Sequence, residues 1–248
     1  MIGFSTGCLY RNIEPISKKA IKTIASTGCD AIELCAGLKE RIPTLSSIGK
    51  DDLANFKYIS LHAPCDISYG KNEEALNILK EIEENNKRLG FDCIVIHANN
   101  VTDWSVFSDF DLPFAFENID KGKGLGETVE DMKKVFSFVN FKMVLDLTHA
   151  YTVDPSMELA KNLYKEFKER IFQIHLSGYY CHGEDSQQHY PINITKQEEI
   201  LNAVKLDKTV IIESALPNYM ECDKTKRIKD NLDAELKYVK DFISNKII

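Results

Sequence analysis

Metal-capable side chains recur at one place in the sequence pattern, within or at the end of short apolar runs. Three carboxylates brought together there would repel one another and take up protons unless a cation neutralised them. Histidines mixed with carboxylates suit Zn²⁺, Mn²⁺ or a similar divalent ion, whereas Mg²⁺ is met more often by oxygens alone. The pattern therefore predicts a divalent metal site. Its residues are His62 in YISLHA, His97 in CIVIHA, Glu117 in PFAFEN, Asp146 in MVLDL, His175 in FQIHLS and Glu213 in VIIESA.

Three further residues extend this set. His149 follows Asp146 by three positions, so the chain can bring it back to the same place as it leaves the run. His189 lies in the polar segment 178–194, which we interpret as a loop. Glu33 in AIELC could contact a substrate. An equally good interpretation is that it orients a metal ligand from behind or has a structural role. We expect His149 and His189 to serve as metal ligands or as substrate contacts.

The elements that must position these residues are strands alternating with helices. Eight apolar runs have the near-continuous hydrophobicity of buried parallel strands, and the segments between them have helical spacing. About eight such units in 248 residues favour a closed (β/α)₈ TIM barrel, forming one domain over residues 1–248, over an open doubly wound sheet. The predicted strands are 2–7, 31–35, 58–63, 93–98, 113–118, 143–147, 172–177 and 210–215. The predicted helices are 14–27, 73–89, 127–139, 156–169, 195–204 and 227–244.

Such a barrel brings the carboxyl ends of all its strands to one mouth, where active sites of this fold lie. The six residues within the runs should therefore converge, although any one of them taken alone would be a hydrogen-bonded core or rim residue. The first strand is not followed by a G-x-G-x-x-G turn, so no nucleotide cofactor is expected.

Composition narrows the function class. The net charge of −7 gives no overall basic field, which disfavours nucleic acid and anionic membranes as partners. Seven scattered cysteines without a C-x-x-C pair suit reduced thiols, most of them small apolar fillers. The N-terminal residues lack a basic region followed by an apolar core, and no apolar run approaches the ~18 residues of a membrane span. We expect a cytoplasmic protein; a homo-oligomer stays open.

The same runs resemble a known family in their order along the chain. They are HAP at 62–64, the histidine of IVIHA, FEN at 116–118, the D-x-x-H of LDLTH, IHL at 174–176 and IIE at 211–213. Together they are similar to the xylose isomerase-like TIM barrel superfamily, which contains sugar isomerases, keto-sugar epimerases, inosose dehydratase-like enzymes and endonuclease IV. The resemblance covers essentially the whole chain, and it implies a metal-dependent enzyme.

Resemblance to the epimerases implies that one divalent ion is held by four residues, Glu117, Asp146, His175 and Glu213. It further implies that Glu117 and Glu213 exchange a proton with the substrate carbon, and that His149 binds substrate. The expected substrate is a small sugar, polyol or sugar phosphate, and the expected reaction is isomerisation or epimerisation, with loss of water as a variant.

Resemblance to endonuclease IV implies a larger metal site and an alternative function, cleavage of abasic DNA. His62 and His97 would then hold one ion with bridging Glu117. A second ion would lie among Asp146, His175 and Glu213, and His149 and His189 would belong to a third. Two departures put this in doubt. An acid of the nuclease pattern is replaced by Gln187 unless Asp185 reaches in, and the bulky wedge after HAP is replaced by Cys65-Asp66-Ile67. An acid there would repel phosphate.

A nuclease would also need a basic or aromatic rim, for which Arg41 and Trp104 are the candidates. A third hypothesis is a barrel without activity, in which metal stabilises the fold or the site has become a binding site. It predicts lost ligands, whereas nearly all of them are present. A carbohydrate isomerase or epimerase is thus the preferred hypothesis.

Overall fold

Eight parallel strands close into a barrel, as the sequence predicts. The computed structural model describes residues 1–182, 185–220 and 223–246, without the side chains of 181, 182 and 185–188. The barrel order is β1-β10-β7-β6-β5-β4-β3-β2. This is a (β/α)₈ TIM barrel. Its strands are β1 (Ile2–Ser5), β2 (Ala31–Cys35), β3 (Tyr58–His62), β4 (Cys93–His97), β5 (Phe114–Glu117), β6 (Lys142–Asp146), β7 (Ile171–Leu176) and β10 (Thr209–Ile212).

Helices connect the strands around the outside, and their ends follow local sequence signals. Asn72 caps the amino end of α2, and Gly90, with a φ of +74°, ends it in the left-handed region that glycine tolerates. Thr128 and Asp131 form a capping box at the start of α3. The helices are α1 (Lys18–Ala25), α2 (Glu73–Leu89), α3 (Val129–Phe138), α4 (Leu147–Val153), α5 (Glu158–Phe167), α6 (Ile192–Thr195), α7 (Glu198–Asn202) and α8 (Lys224–Asn245).

Two separate apolar clusters form the core. The larger one packs between the strands and the outer helices and contains residues such as Phe4, Leu34 and Phe116. The smaller one lies inside the barrel, because side chains alternate between the two faces of each strand. Its members are Ala31, Tyr58, Cys93, Val95, Ala115, Val144 and Ile211. Two or four residues further along those strands stand the metal-capable side chains, so this cluster forms an apolar floor beneath them.

Gly3 is needed for barrel closure between β1 and β2. A Cβ atom at this position would lie 1.8 Å from the carbonyl oxygen of Ala31. Since β1 pairs with both β2 and β10 through Gly3, any side chain there would separate the strands that complete the barrel.

The connections differ from the sequence expectation in three places. Helix α4 follows β6 directly, where no helix was predicted, and α6 and α7 stand in place of the single predicted helix 195–204. The predicted loop 178–194 contains an antiparallel hairpin of β8 (Gly178–His182) and β9 (Asp185–Tyr190), in which Tyr180 stacks on Tyr190. The segments 36–57 and 99–112 contain short 3₁₀ helices. None of the helices within the described residues combines the length and apolar character needed to cross a bilayer.

Candidate metal centre

The barrel brings the six residues singled out in the strands to one mouth. Register explains why: Glu117 pairs with His97, Asp146 pairs with His175, and His62 stands at the end of β3. All six side chains are less than a quarter exposed, and those of Glu117 and His175 are fully buried. The convergence predicted for these residues therefore exists in the fold.

Four of them form a cluster whose ligand atoms lie within 4.8 Å of one another: Glu117, Asp146, His175 and Glu213. We call it the four-ligand cluster. Nδ1 of His175 lies 2.6 Å from Oε1 of Glu117 and 3.2 Å from Oε2 of Glu213. Oδ2 of Asp146 lies 4.0 Å from the same nitrogen. Three carboxylates and one imidazole thus surround one point at the mouth.

A second group adjoins it and consists of His62, Cys65 and His97, the cysteine cluster. The sulfur of Cys65 lies 3.8 Å from Nε2 of His97. Oε2 of Glu117 lies 3.0 Å from Nε2 of His97 and 3.4 Å from Nε2 of His62. Glu117 therefore faces the four-ligand cluster with one oxygen and the cysteine cluster with the other.

The D-x-x-H spacing has a local structural cause. Asp146 caps helix α4, because its Oδ1 accepts a hydrogen bond from the backbone N–H of His149 at 2.6 Å. Its Oδ2 remains directed at the four-ligand cluster. Nδ1 of His149 lies 2.8 Å from the carbonyl oxygen of Asn118, and its Nε2 lies 3.6 Å from Oδ1 of Asp120. A proton on Nδ1 donated to Asn118 leaves Nε2 of His149 as the reactive nitrogen.

Glu33 lies one layer below the mouth and is fully buried. Its Oε2 accepts hydrogen bonds from Gln173 at 2.7 Å and Ser60 at 3.1 Å, and it lies 3.1 Å from Nε2 of His175. A proton on Nε2 directed at Glu33 leaves Nδ1 of His175 for the four-ligand cluster. A substrate would have to reach past His175 to touch Glu33, so its predicted substrate role stays a prediction.

His189 completes the rim. Its Nδ1 lies 3.1 Å from Oγ of Ser177 and 3.8 Å from Oε2 of Glu213. Its φ of +54° is left-handed, a strained conformation for a non-glycine residue. The side chains of Asp185 and Gln187 lie outside the described residues, so the prediction about a third ion is untested.

The electrostatics of the mouth favour a cation. Burial alone would raise the pKa of Glu117, but the charge of His175, its hydrogen bond to Oε1 and the nearby His62 and His97 hold it well below its usual range. Burial alone would lower the pKa of His175, whereas Glu213, Glu33 and Glu117 raise it. The pKa of Asp146 is raised, chiefly by burial. Glu117 and His175 thus each favour the charged form of the other, and a bound divalent cation would take the place of the histidine proton.

Two buried carboxylate oxygens without hydrogen-bond partners indicate whether a metal ion fits at this mouth. Oε2 of Glu117 and Oδ2 of Asp146 are buried and accept no well-oriented hydrogen bond. Buried carboxylate oxygens are costly when left unpaired. Both belong to residues within the metal-capable groups, so the donor set at this mouth fits a divalent metal ion.

Comparison with known proteins was made by sequence and by structure. No protein-family model matches the sequence, and no curated protein matches it. Solved structures do match over nearly the whole chain. 3-Keto-D-glucoside 4-epimerase from E. coli is 14% identical, with a TM-score of 0.60 over 96% of this chain and 98% of that one. Endonuclease IV from Thermus thermophilus is also 14% identical, with a TM-score of 0.64 over 96% and 99% of the two chains.

A third structural match identifies the fold. A xylose isomerase domain containing protein from Salmonella typhimurium is 12% identical, with a TM-score of 0.59 over 96% of both chains. The chain has the xylose isomerase-like TIM barrel fold. The resemblance seen in the sequence is thereby confirmed at the level of fold, and these proteins have different activities within it.

A cavity opens at the mouth of this xylose isomerase-like barrel. Its volume is about 250 Å³, and it is lined by His62, His97, His149, His189 and Glu213 together with the smaller Ser5, Gly7, Cys35 and Ala215. Ligand pockets typically run from about 300 to 1,000 Å³. The volume of this cavity lies just below that range, so it could hold only a small ligand.

The sequence analysis did not identify two groups at the mouth, the thiol of Cys65 and the carboxylate of Asp120. The sequence pattern places Cys65 among the apolar fillers, although its H-x-x-C spacing from His62 is a ligand spacing. Burial alone would raise the pKa of Cys65, but His97 and His62 lower it to about 6. Asp120, three residues after Glu117, faces His149 and carried no sequence signal beyond that spacing.

Proposed function

We propose that this protein is a divalent-metal-dependent isomerase or epimerase of a small sugar, polyol or sugar phosphate. The observation that carries the proposal is the four-ligand cluster, in which two glutamates from β5 and from the end of β10 flank His175. Glu117, Asp146, His175 and Glu213 would hold the ion. Zn²⁺ and Mn²⁺ suit this donor set.

Held there, the ion would act as a Lewis acid on a substrate carbonyl and make the neighbouring C–H bond more acidic. Glu117 and Glu213 would take a proton from carbon and return one. They come from strands that β6 and β7 separate in the barrel order, and Glu213 lines the cavity. A change of configuration at carbon would require the two groups to act on opposite faces of that carbon.

The remaining residues position the substrate. Nε2 of His149, with its other nitrogen directed at Asn118, and the ring of His189 beside Ser177 can orient substrate hydroxyls. Glu33 holds His175 from below.

Five of the seven cysteines have described side chains, and all five are free thiols, which supports a reducing, cytoplasmic setting for the protein.

Hydrogen exchange with solvent tests this function even when the product is unidentified. Protein loaded with manganese or zinc is incubated in D₂O with panels of ketoses, aldoses, their phosphates and polyol-derived ketones. Proton NMR should show deuterium entering next to the carbonyl of the true substrate. Glu213→Gln should lose this exchange, whereas Glu40→Gln, an exposed carboxylate in the segment after β2, should retain it. Exchange that persists in Glu213→Gln would contradict the proposed role.

The second candidate function is hydrolysis of phosphodiesters in abasic DNA. It is favoured by His62 and His97 beside Glu117, which together resemble a second metal position. The candidate rim residues oppose it, because Trp104 packs on Phe116 and Phe138 and Arg41 pairs with Glu14. Cleavage of an abasic duplex by wild-type protein, lost in His97→Ala, would establish this function in place of the isomerase.

A further inference from the structure

The cysteine cluster contains the atoms of a complete coordination sphere. Nδ1 of His62 lies 3.1 Å from the carbonyl oxygen of Ala63, so a proton held there leaves Nε2 of His62 as a ligand. Nε2 of His97 lies 3.8 Å from Sγ of Cys65 and 3.0 Å from Oε2 of Glu117. Nε2 of His62 lies 3.4 Å from the same oxygen.

These separations match a tetrahedral zinc site. With bonds of about 2.0–2.1 Å to nitrogen or oxygen and about 2.3 Å to sulfur, tetrahedral ligand atoms lie roughly 3.3–3.6 Å apart. The three measured distances to Nε2 of His97 and Oε2 of Glu117 fall within a few tenths of an ångström of that range. The sulfur of Cys65 also lies 3.8 Å from Nδ1 of His62, so the Cys65 side chain must turn towards Nε2 of that ring to complete the geometry.

The backbone around Cys65 is held in place from two sides. Its N–H donates to the carbonyl oxygen of Gly37 at 2.9 Å, and its own carbonyl accepts from the side chain of Asn100 at 2.8 Å. The thiol is therefore presented to the histidines by an ordered connection between β3 and α2. A ligand held in this way loses little freedom when it binds a metal.

We propose that His62, Cys65 and His97, with Oε2 of Glu117, form a second metal site that binds zinc through a thiolate. Two imidazoles and a thiolate select zinc over magnesium or manganese, which prefer oxygen ligands. The inference rests on the proposed function only in that both sites use Glu117. It assigns Cys65 a role that none of the sugar- or DNA-directed hypotheses gives it.

This assignment changes what the second site can do. Four protein ligands fill a tetrahedral sphere, and structural zinc sites of this kind keep no open position for water. The site would therefore organise the mouth rather than supply a nucleophile for hydrolysis.

Cobalt substitution of the full-length protein tests the thiolate. Cobalt(II) bound to a thiolate has a near-ultraviolet charge-transfer absorption, which nitrogen and oxygen ligands do not produce. We expect this absorption in wild-type protein, its loss in Cys65→Ser and its retention in Cys35→Ser, a matched thiol that lines the same cavity. Asp146→Asn should also retain it, because Asp146 belongs only to the four-ligand cluster.

Two results would overturn the site. One is absence of the absorption in wild-type protein that binds cobalt, and the other is its persistence in folded Cys65→Ser. X-ray absorption at the zinc edge of the unmodified protein should show sulfur at about 2.3 Å, and this measurement does not depend on any variant folding. Loss of metal in Asp146→Asn, combined with no sulfur ligand in the wild-type protein, would overturn the thiolate site while leaving the proposed function intact.

Discussion

The two ligand clusters share one mouth and one glutamate but differ in chemistry. The four-ligand cluster comes from β5, β6, β7 and the end of β10 and offers three carboxylates with one imidazole. The cysteine cluster comes from β3, β4 and the connection after β3 and offers two imidazoles with a thiol. Oxygen-rich sites accept several divalent ions, whereas sulfur narrows the choice towards zinc. One barrel can therefore present two metal preferences a few ångströms apart.

Support from the surrounding protein also differs. The four-ligand cluster is supported from below by Glu33, Gln173 and Ser60, and from one side by the cap of α4. The cysteine cluster depends on backbone contacts of the segment after β3. Perturbations beneath the barrel mouth should thus affect the first cluster and leave the second unchanged.

The largest effect is expected from Glu117→Ala, because within the described residues this side chain faces one cluster with each of its two oxygens. Loss of a partner behind a ligand typically costs 10- to 100-fold in metal affinity, so loss of a shared ligand should cost more than about 100-fold at each site. Elemental analysis should show that the metal content of both clusters falls. Glu40→Ala serves as the control, and a loss confined to one cluster would mean that Glu117 is not shared.

Asp146 should separate the two clusters while also testing its helix cap. Both Asp146→Asn and Asp146→Ala should lose metal from the four-ligand cluster and keep it in the cysteine cluster. Asparagine caps helices about as well as aspartate, so only the alanine variant should lose a further ~1 kcal/mol of unfolding free energy. Denaturation of the two metal-free variants with urea checks this difference, and equal stabilities would argue against the cap.

Glu33→Gln should have an intermediate effect on one cluster. The amide keeps the shape of the side chain but removes the charge that orients His175, so affinity at the four-ligand cluster should fall about 10- to 100-fold. Competition with a chromophoric chelator would measure the metal affinity of this cluster. Cys35→Ser, the next inward-facing position on β2, provides the control. A substrate contact at Glu33 would instead leave metal affinity unchanged and raise KM.

The smallest effect on the metal sites is expected from Glu235, a buried carboxylate outside both clusters. It accepts hydrogen bonds from the N–H of Ile192 and the hydroxyl of Ser214. Burial raises its pKa to about 7, whereas the histidines around Glu117 lower the pKa of that residue. Burial thus dominates at Glu235, whereas the charges of the histidines outweigh it at Glu117.

The pH dependence of the protein's stability follows from the raised pKa of Glu235. Between pH 4.5 and 7 the folded state binds more protons at Glu235 than the unfolded state does, so stability falls as pH rises through this window. Glu235→Gln should remove the penalty and stabilise the protein by about 1–2 kcal/mol at pH 8, with little effect at pH 4.5. Urea denaturation of both proteins at the two pH values checks it. Equal pH profiles would show that Glu235 titrates normally, and metal content should not change.

Much of the fold could be predicted from the sequence because its signals are local. Apolar runs predicted the eight barrel strands, and Asn72, Gly90 and Thr128 mark helix ends where capping chemistry requires them. The hairpin β8–β9 was not predicted, because its residues are polar and lack the apolar run that marks the other strands. The convergence of six ligand-type residues followed from the fold class, since a barrel places all strand ends together.

What the sequence alone determined is which residues face the barrel interior, because alternation along a strand depends on nothing beyond the strand. Tertiary structure decided which of them meet. The depth of Glu33 beneath His175, the turn of His149 towards Asn118 and the approach of Cys65 to His97 depend on strand register and rotamers across distant segments. Those contacts arise only when the barrel closes, because they join residues that no local interaction holds at a defined distance.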